Sequence, residues 1–256
     1  MEISKTIQQL FDDSFLELME LLAFQNKTRE GYNLIEERHV SHMKSMAEQI
    51  RLYKEDKGMP SLINLRRSIE INRYSSLGDN HSKYVNTINR SIIIYACSIF
   101  DNFLNQTIKS LLLIFPIKLS TEKNSIPYHE FILNTKEKII ESLIEKEIYE
   151  WSYKRIDERI KDLSTKFELD FEYSTDQTNF FSNQINLIEI TRSFAIRNII
   201  VHNKGIVNKL FIKNVPDSSY LLGETISIDT NLIANIVTGL INTTSCITRQ
   251  VEMRYN

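Results

Sequence analysis

Apolar residues recur at helical spacing along most of this chain. Ile7, Leu10, Phe11, Phe15, Leu18 and Leu21 keep that spacing and predict an amphipathic helix over 3–25. Ile35, Val40, Met43, Met46 and Ile50 carry a second helix over 33–56, which Gly58 and Pro60 stop. The segment 57–82 mixes charges and contains Ser-Ser-Leu-Gly-Asp-Asn at 75–80, a turn cluster and the best boundary in the chain. Over 84–115 the apolar positions, Ile88, Ile92, Ile99 and Phe103 among them, cover more than one helical face. That helix should be largely buried, and Pro116 ends it.

A loop at 117–134, a charged helix at 135–163 and a polar stretch at 164–183 follow. Residues 184–203 read as a nearly all-apolar helix with Gly205 placed as its cap. Two strand-like runs, 207–215 and 225–228, are separated by Pro216-Asp217-Ser218-Ser219 and Gly223, which predicts a β-hairpin. A last helix spans 231–252. The expected fold is all-α: an N-terminal helical extension over 1–82, then a helical domain over 83–256 with a small β-hairpin before the final helix.

Composition agrees with long helices. Six glycines and four prolines are too few for a sandwich, a barrel or a Gly-rich phosphate loop. The two cysteines, Cys97 and Cys246, fall in apolar helical patterns and read as free buried thiols in a reducing compartment. No hydrophobic signal region follows Met1, and the longest apolar run, 111–117, is too short to span a bilayer, so the chain reads as cytoplasmic, without a membrane partner. A formal net charge of −2 generates no global field for nucleic acid. Locally the picture changes: 190–216 holds no Asp or Glu, while Arg192, Arg197, Lys204, Lys209 and Lys213 are basic. A basic surface there suits a phosphate ligand.

The chemistry concentrates in Arg197-Asn198-Ile199-Ile200-Val201-His202, followed by Asn203-Lys204-Gly205. A guanidinium, a carboxamide and an imidazole inside so apolar a helix need partners or a task. Arginine supplies a fixed cation for phosphate oxygens and histidine a proton carrier near neutral pH, which together serve phosphoryl transfer without a metal. The architectural alternative stays open: a histidine in the last turn favours the helix dipole, and Arg197 can pair with a carboxylate such as Asp101. Five residues of regular helix also turn through about 140°, so Arg197 and His202 face apart unless the helix ends between them or two protomers each contribute a pair.

The motif and its setting resemble the HEPN domains, small helical domains whose signature is an Arg, four to six residues, then a His, with Asn, Asp or His commonly after the Arg. Arg197, Asn198 and His202 match that signature, and Asn203-Lys204-Gly205-Ile206-Val207 looks like the turn that follows it in bacterial members. The resemblance covers 84–254; the first two helices have no counterpart in it, and Asp101 stands where a Glu is commoner. It implies a metal-independent, cofactor-free endoribonuclease, usually dimeric, in toxin–antitoxin, phage-defence or RNA-processing settings, with an antitoxin or sensor protein as a further partner. His202 would then act as general base or acid, Arg197 would stabilise the phosphorane-like transition state, and Asn198 would orient a phosphate oxygen or the imidazole. Lys204, Asn203 and Arg192 would bind RNA phosphates, with Asp101 and Glu189 as supporting acids. Some members of the family have lost activity and serve as scaffolds for proteins or nucleotides, and that reading is kept alongside.

Other features carry less. His39 and His42 stand one helical turn apart but lack a third ligand, so a solvated face is the simpler reading than zinc. His81 and His129 lie in polar surroundings. Glu137, Glu141, Glu145, Glu147 and Glu150 alternate with lysines as a salt-bridged face. Trp151, with Tyr149 and Tyr153, suits helix core or base stacking. No Walker, GxSxG or Rossmann pattern is present.

Overall fold

Helix accounts for nearly all of the regular structure, as the glycine and proline count requires. The computed structural model describes residues 2–55, 61–119, 126, 128–174, 184–216 and 218–255; at 2, 36, 39, 42, 43, 46–55, 61–83 and 128–130 it describes backbone alone. Eight α-helices run through the described residues: α1 (Glu2–Glu55), α2 (Ser61–Ile114), α3 (Tyr128–Leu133), α4 (Lys136–Ser152), α5 (Ile156–Phe167), α6 (Leu187–Asn203), α7 (Lys209–Asn214) and α8 (Thr230–Tyr255). Two short strands, β1 (Glu172–Tyr173) and β2 (Gln184–Ile185), pair in parallel with Glu172 opposite Gln184.

The fold is all-α, and the differences from expectation are local. The two predicted N-terminal helices are one: no proline interrupts 2–55, and Gly31 alone costs only about 1 kcal/mol in a helix that propagates cooperatively. Residues 75–80, expected as a turn, are helical within α2 for the same reason. Ser, Gly, Asp and Asn each weaken a helix, but only proline removes the hydrogen bond and clashes with the preceding turn. The helix expected at 135–163 is broken into α4 and α5, where Arg155 turns extended (ψ 150°) and its backbone N–H donates to Glu158 Oε2 at 3.3 Å.

Among the described residues the predicted β-hairpin is absent. Its first run is α7, capped by Asn208, whose Oδ1 accepts from the Phe211 N–H at 2.8 Å. Val207, Phe211 and Val215 recur every four residues, and all three are buried. Among the described residues one antiparallel bridge, Ile206 with Thr225, remains of the expected pairing.

The chain divides into two units, Met1–Glu20 with Ile93–Asn256, and Leu21–Ile92. Both long helices contribute to each. The smaller unit is helical throughout its described residues and buries two amides, Gln25 and Asn89. In the larger unit, α2 supplies the central apolar row: Ile93, Phe100, Phe103, Leu104 and Ile108 are essentially inaccessible. Each such side chain stabilises by roughly 1.5–3 kcal/mol. α6 packs against α5, α7 and α8, and α8 against β2. The Phe100 and Phe194 rings meet edge-on at 6.1 Å, which sets α2 beside α6. At the other end of the unit Ser4 Oγ donates to Glu252 Oε1 at 3.4 Å, tying the start of α1 to the end of α8.

Candidate functional site

The motif helix starts where Asn186 accepts the Glu189 N–H at 3.0 Å, and it runs unbroken through Asn203. It ends in two successive left-handed residues, Lys204 (φ 54°) and Gly205 (φ 80°). Both backbone N–H groups bond to the Ile199 carbonyl, Gly205 at 2.8 Å. Glycine reaches this region freely; lysine there costs about 1–2 kcal/mol. The strained residue therefore sits two positions after the motif histidine.

Because α6 is regular between them, Arg197 and His202 leave the axis about 140° apart. Asn198 closes much of that gap. It lies one turn before His202 on the same exposed face, and its Oδ1 accepts from Arg197 Nη1 at 3.0 Å. The half-buried guanidinium is thereby tied to a side chain of the exposed face, although Arg197 and His202 themselves still leave the axis apart. Val201, nearly half exposed, lies on that solvent side of α6, while Ile188, equally exposed, leaves the axis about 140° away from it near the helix start.

No carboxylate pairs with Arg197 among the described residues, and its Nε is buried without an acceptor. Both acids expected to support it are engaged elsewhere. Asp101 pairs with Arg159 of α5, and Glu189 holds Arg192 at 2.6 Å. Asn203 is also committed: its Nδ2 donates to the Ile206 carbonyl at 2.5 Å and closes the turn after the helix. His202 is exposed. Beneath the motif, the Cys97 thiol lies 3.9 Å from the Ser193 carbonyl and is pushed up to about 12 by burial, with Arg197 pulling it down and Asp101 pushing it up. At that value it stays protonated and unreactive near neutral pH.

Arg159 is the polar residue that periodicity does not single out. Its side chain is 4% exposed, its Nη2 donates to Asn105 Oδ1 at 3.0 Å, and its guanidinium lies 4.5 Å from the Trp151 ring centre. Trp151 is thus a buried platform for a cation, while Tyr149 and Tyr153 stay exposed with their hydroxyls 2.9 Å apart. Of the acidic face on α4, Glu147 pairs with Lys166, and burial lowers the Lys166 pKa. A groove of about 550 Å³ opens between α2, α4 and α5, lined by Ile108, Glu147, Trp151, Asp162 and Lys166 among others; none of its lining belongs to α6.

The side chains of His39, His42, His81 and His129 lie outside the described residues. Among the described residues no group of three or more His, Cys, Asp or Glu side chains is placed to hold a metal ion, and no helix is long and apolar enough to cross a membrane. No family model matches the chain, and neither the curated proteins nor the solved structures yield a match. Fold and site together define an all-α protein that presents an arginine–asparagine–histidine constellation at the exposed C-terminal end of one helix.

Proposed function

We propose that the chain is a metal-independent endoribonuclease of the HEPN type, working as a homodimer in a toxin or phage-defence role. The observation that carries this is the state of the motif. Arg197 is held by a neutral amide instead of a carboxylate, beside an exposed His202. A structural arginine would normally be neutralised where it is half buried, and a structural histidine would be packed. An arginine with an orphaned Nε and no counter-ion among the described residues keeps its charge for a ligand.

In the proposed reaction His202 takes the proton from a ribose 2′-hydroxyl, or delivers one to the departing 5′-oxygen. The 2′-oxygen attacks the adjacent phosphorus and the bond from phosphorus to the 5′-oxygen breaks. The products carry a 2′,3′-cyclic phosphate and a 5′-hydroxyl. Arg197 offsets the charge that grows on the non-bridging oxygens, and Asn198 holds the guanidinium on the reacting side. Since one protomer leaves its arginine and histidine at different azimuths, a twofold axis beside the outer face of α6 supplies the second pair. Exposed Val201, the residue before His202, favours such a contact.

The test is incubation of the purified chain with total RNA in EDTA, with mass analysis of fragment ends. Cleavage that vanishes in His202→Ala and Arg197→Ala at unchanged melting temperature supports the reading. A folded wild-type dimer that leaves all RNA intact, or variants that cleave like wild type, refutes it.

A further inference from the structure

Beyond the motif, the chain makes a fixed turn and presents two more cations. The Ile226 N–H donates to the Gly205 carbonyl at 2.9 Å, the Val207 N–H to the Glu224 carbonyl at 2.8 Å, and the Gly223 N–H to the Val207 carbonyl at 2.9 Å. These bonds clasp 205–207 against 223–226, so the passage from His202 to α7 is a held turn. α7 then packs on α6 with Phe211 inward at 2% exposure. Lys209 and Lys213 stand outward, one turn apart, with no hydrogen bond or ion pair among the described residues. The axial rise between them is about 6 Å, so their ammonium groups can meet successive backbone phosphates.

The carboxylates nearest in sequence lie outside this segment. None occurs in 190–216. Glu224 Oε2 accepts the Leu221 N–H at 2.7 Å, and Asp229 Oδ1 accepts the Leu232 N–H at 2.7 Å. Asp217 lies outside the described residues. Both lysines belong to a six-residue helix that contributes one deeply buried side chain, so their placement serves the surface rather than the core.

We infer that Lys209 and Lys213 form a phosphate track that leads the sugar–phosphate backbone of single-stranded RNA away from the motif; this rests on the ribonuclease reading above. Single strands follow from the chemistry. Attack by the 2′-oxygen requires it to stand in line with the departing 5′-oxygen, a geometry that stacked A-form duplex withholds and an unpaired strand can adopt.

The experiment is anisotropy titration of the full chain with a short 2′-O-methyl oligoribonucleotide, which cannot be cleaved, over a series of salt concentrations. Two lost phosphate contacts should reduce the magnitude of the log–log salt slope by about 1.4 and weaken binding by about 25-fold near 0.1 M salt, since each contact contributes about 0.7 to the slope for single strands. Lys209→Ala/Lys213→Ala should show this, while Lys136→Ala/Lys138→Ala on α4 should match wild type. With cleavable RNA the α7 variant should raise KM by the same factor and leave kcat within about twofold, as uniform binding loss requires. Wild type that neither cleaves nor binds RNA would overturn the ribonuclease reading and the track together. Wild type that cleaves, with an unchanged slope in the α7 variant, would overturn the track alone. Equal binding of a duplex, or displacement of the RNA by polyglutamate as readily as by unlabelled RNA, would also overturn it.

Discussion

Removing the carboxylate of Asp101 should harm the protein far more than removing its cationic partner, and the reason is their unequal burial. Arg159 is 4% exposed and Asp101 33%. Asp101→Ala strands a guanidinium in the interior with only Asn105 and the Trp151 face for company. Breaking a buried pair this way costs about 3–5 kcal/mol, and the retained ring contact offsets about 1 of it, so roughly 3 is expected. Arg159→Met keeps the apolar stem over Trp151 and leaves a carboxylate that water already reaches; its cost should be about 1 kcal/mol. The double variant should resemble Arg159→Met alone, because no charge is then left stranded. Trp151 is the only tryptophan in the chain and lies within the cluster, so urea unfolding followed by its fluorescence reads the right region. Equal costs for the two single variants, or a double variant as unstable as Asp101→Ala, would refute the argument. The same series separates stability from chemistry: at temperatures where Asp101→Ala is folded, it should cleave RNA as wild type does.

His202→Ala should change stability by less than about 0.5 kcal/mol while lowering the cleavage rate by about 10²–10⁴-fold, measured by urea titration and single-turnover assay. Cys97 gives a pH prediction: its folded pKa of about 12 exceeds the ordinary value of 9.0, so the native state keeps a proton that the unfolded chain releases. Stability from this group is complete below pH 9 and falls by about 1.4 kcal/mol per unit up to about 12; Cys97→Ala should flatten the measured slope by that amount. Iodoacetamide at neutral pH should leave both cysteines unlabelled until the protein is unfolded, since Cys97 and Cys246 are buried with raised pKa values. Light scattering should give a dimer whose contact includes Val201, and Val201→Glu should dissociate it; a monomer at working concentration would remove the basis for a shared site.

Much of this protein is local and therefore legible in the chain itself. Scarce glycine and proline together with 3.6-residue periodicity determine an all-helical fold, because backbone hydrogen bonds within a helix need no distant partner. The motif helix and its end before Gly205 were readable for the same reason, whereas its expected start at 184 falls on β2, whose pairing with β1 is not local. The α7 segment reads wrongly as a strand because its β-branched residues outweigh Asn208 and the four-residue recurrence of Val207, Phe211 and Val215, which the packing of α7 on α6 turns into a helix. What tertiary structure alone decided is which charge meets which. Arg159 sits 58 residues from Asp101 and looks, in sequence, like any polar residue of an amphipathic helix; only the packing of α5 onto α2 buries it and takes Asp101 away from Arg197. Pairing between distant residues depends on the directions in which helices cross, and periodicity along one helix does not contain that information. The uncompensated charge of Arg197, on which its proposed chemistry rests, is a consequence of that packing.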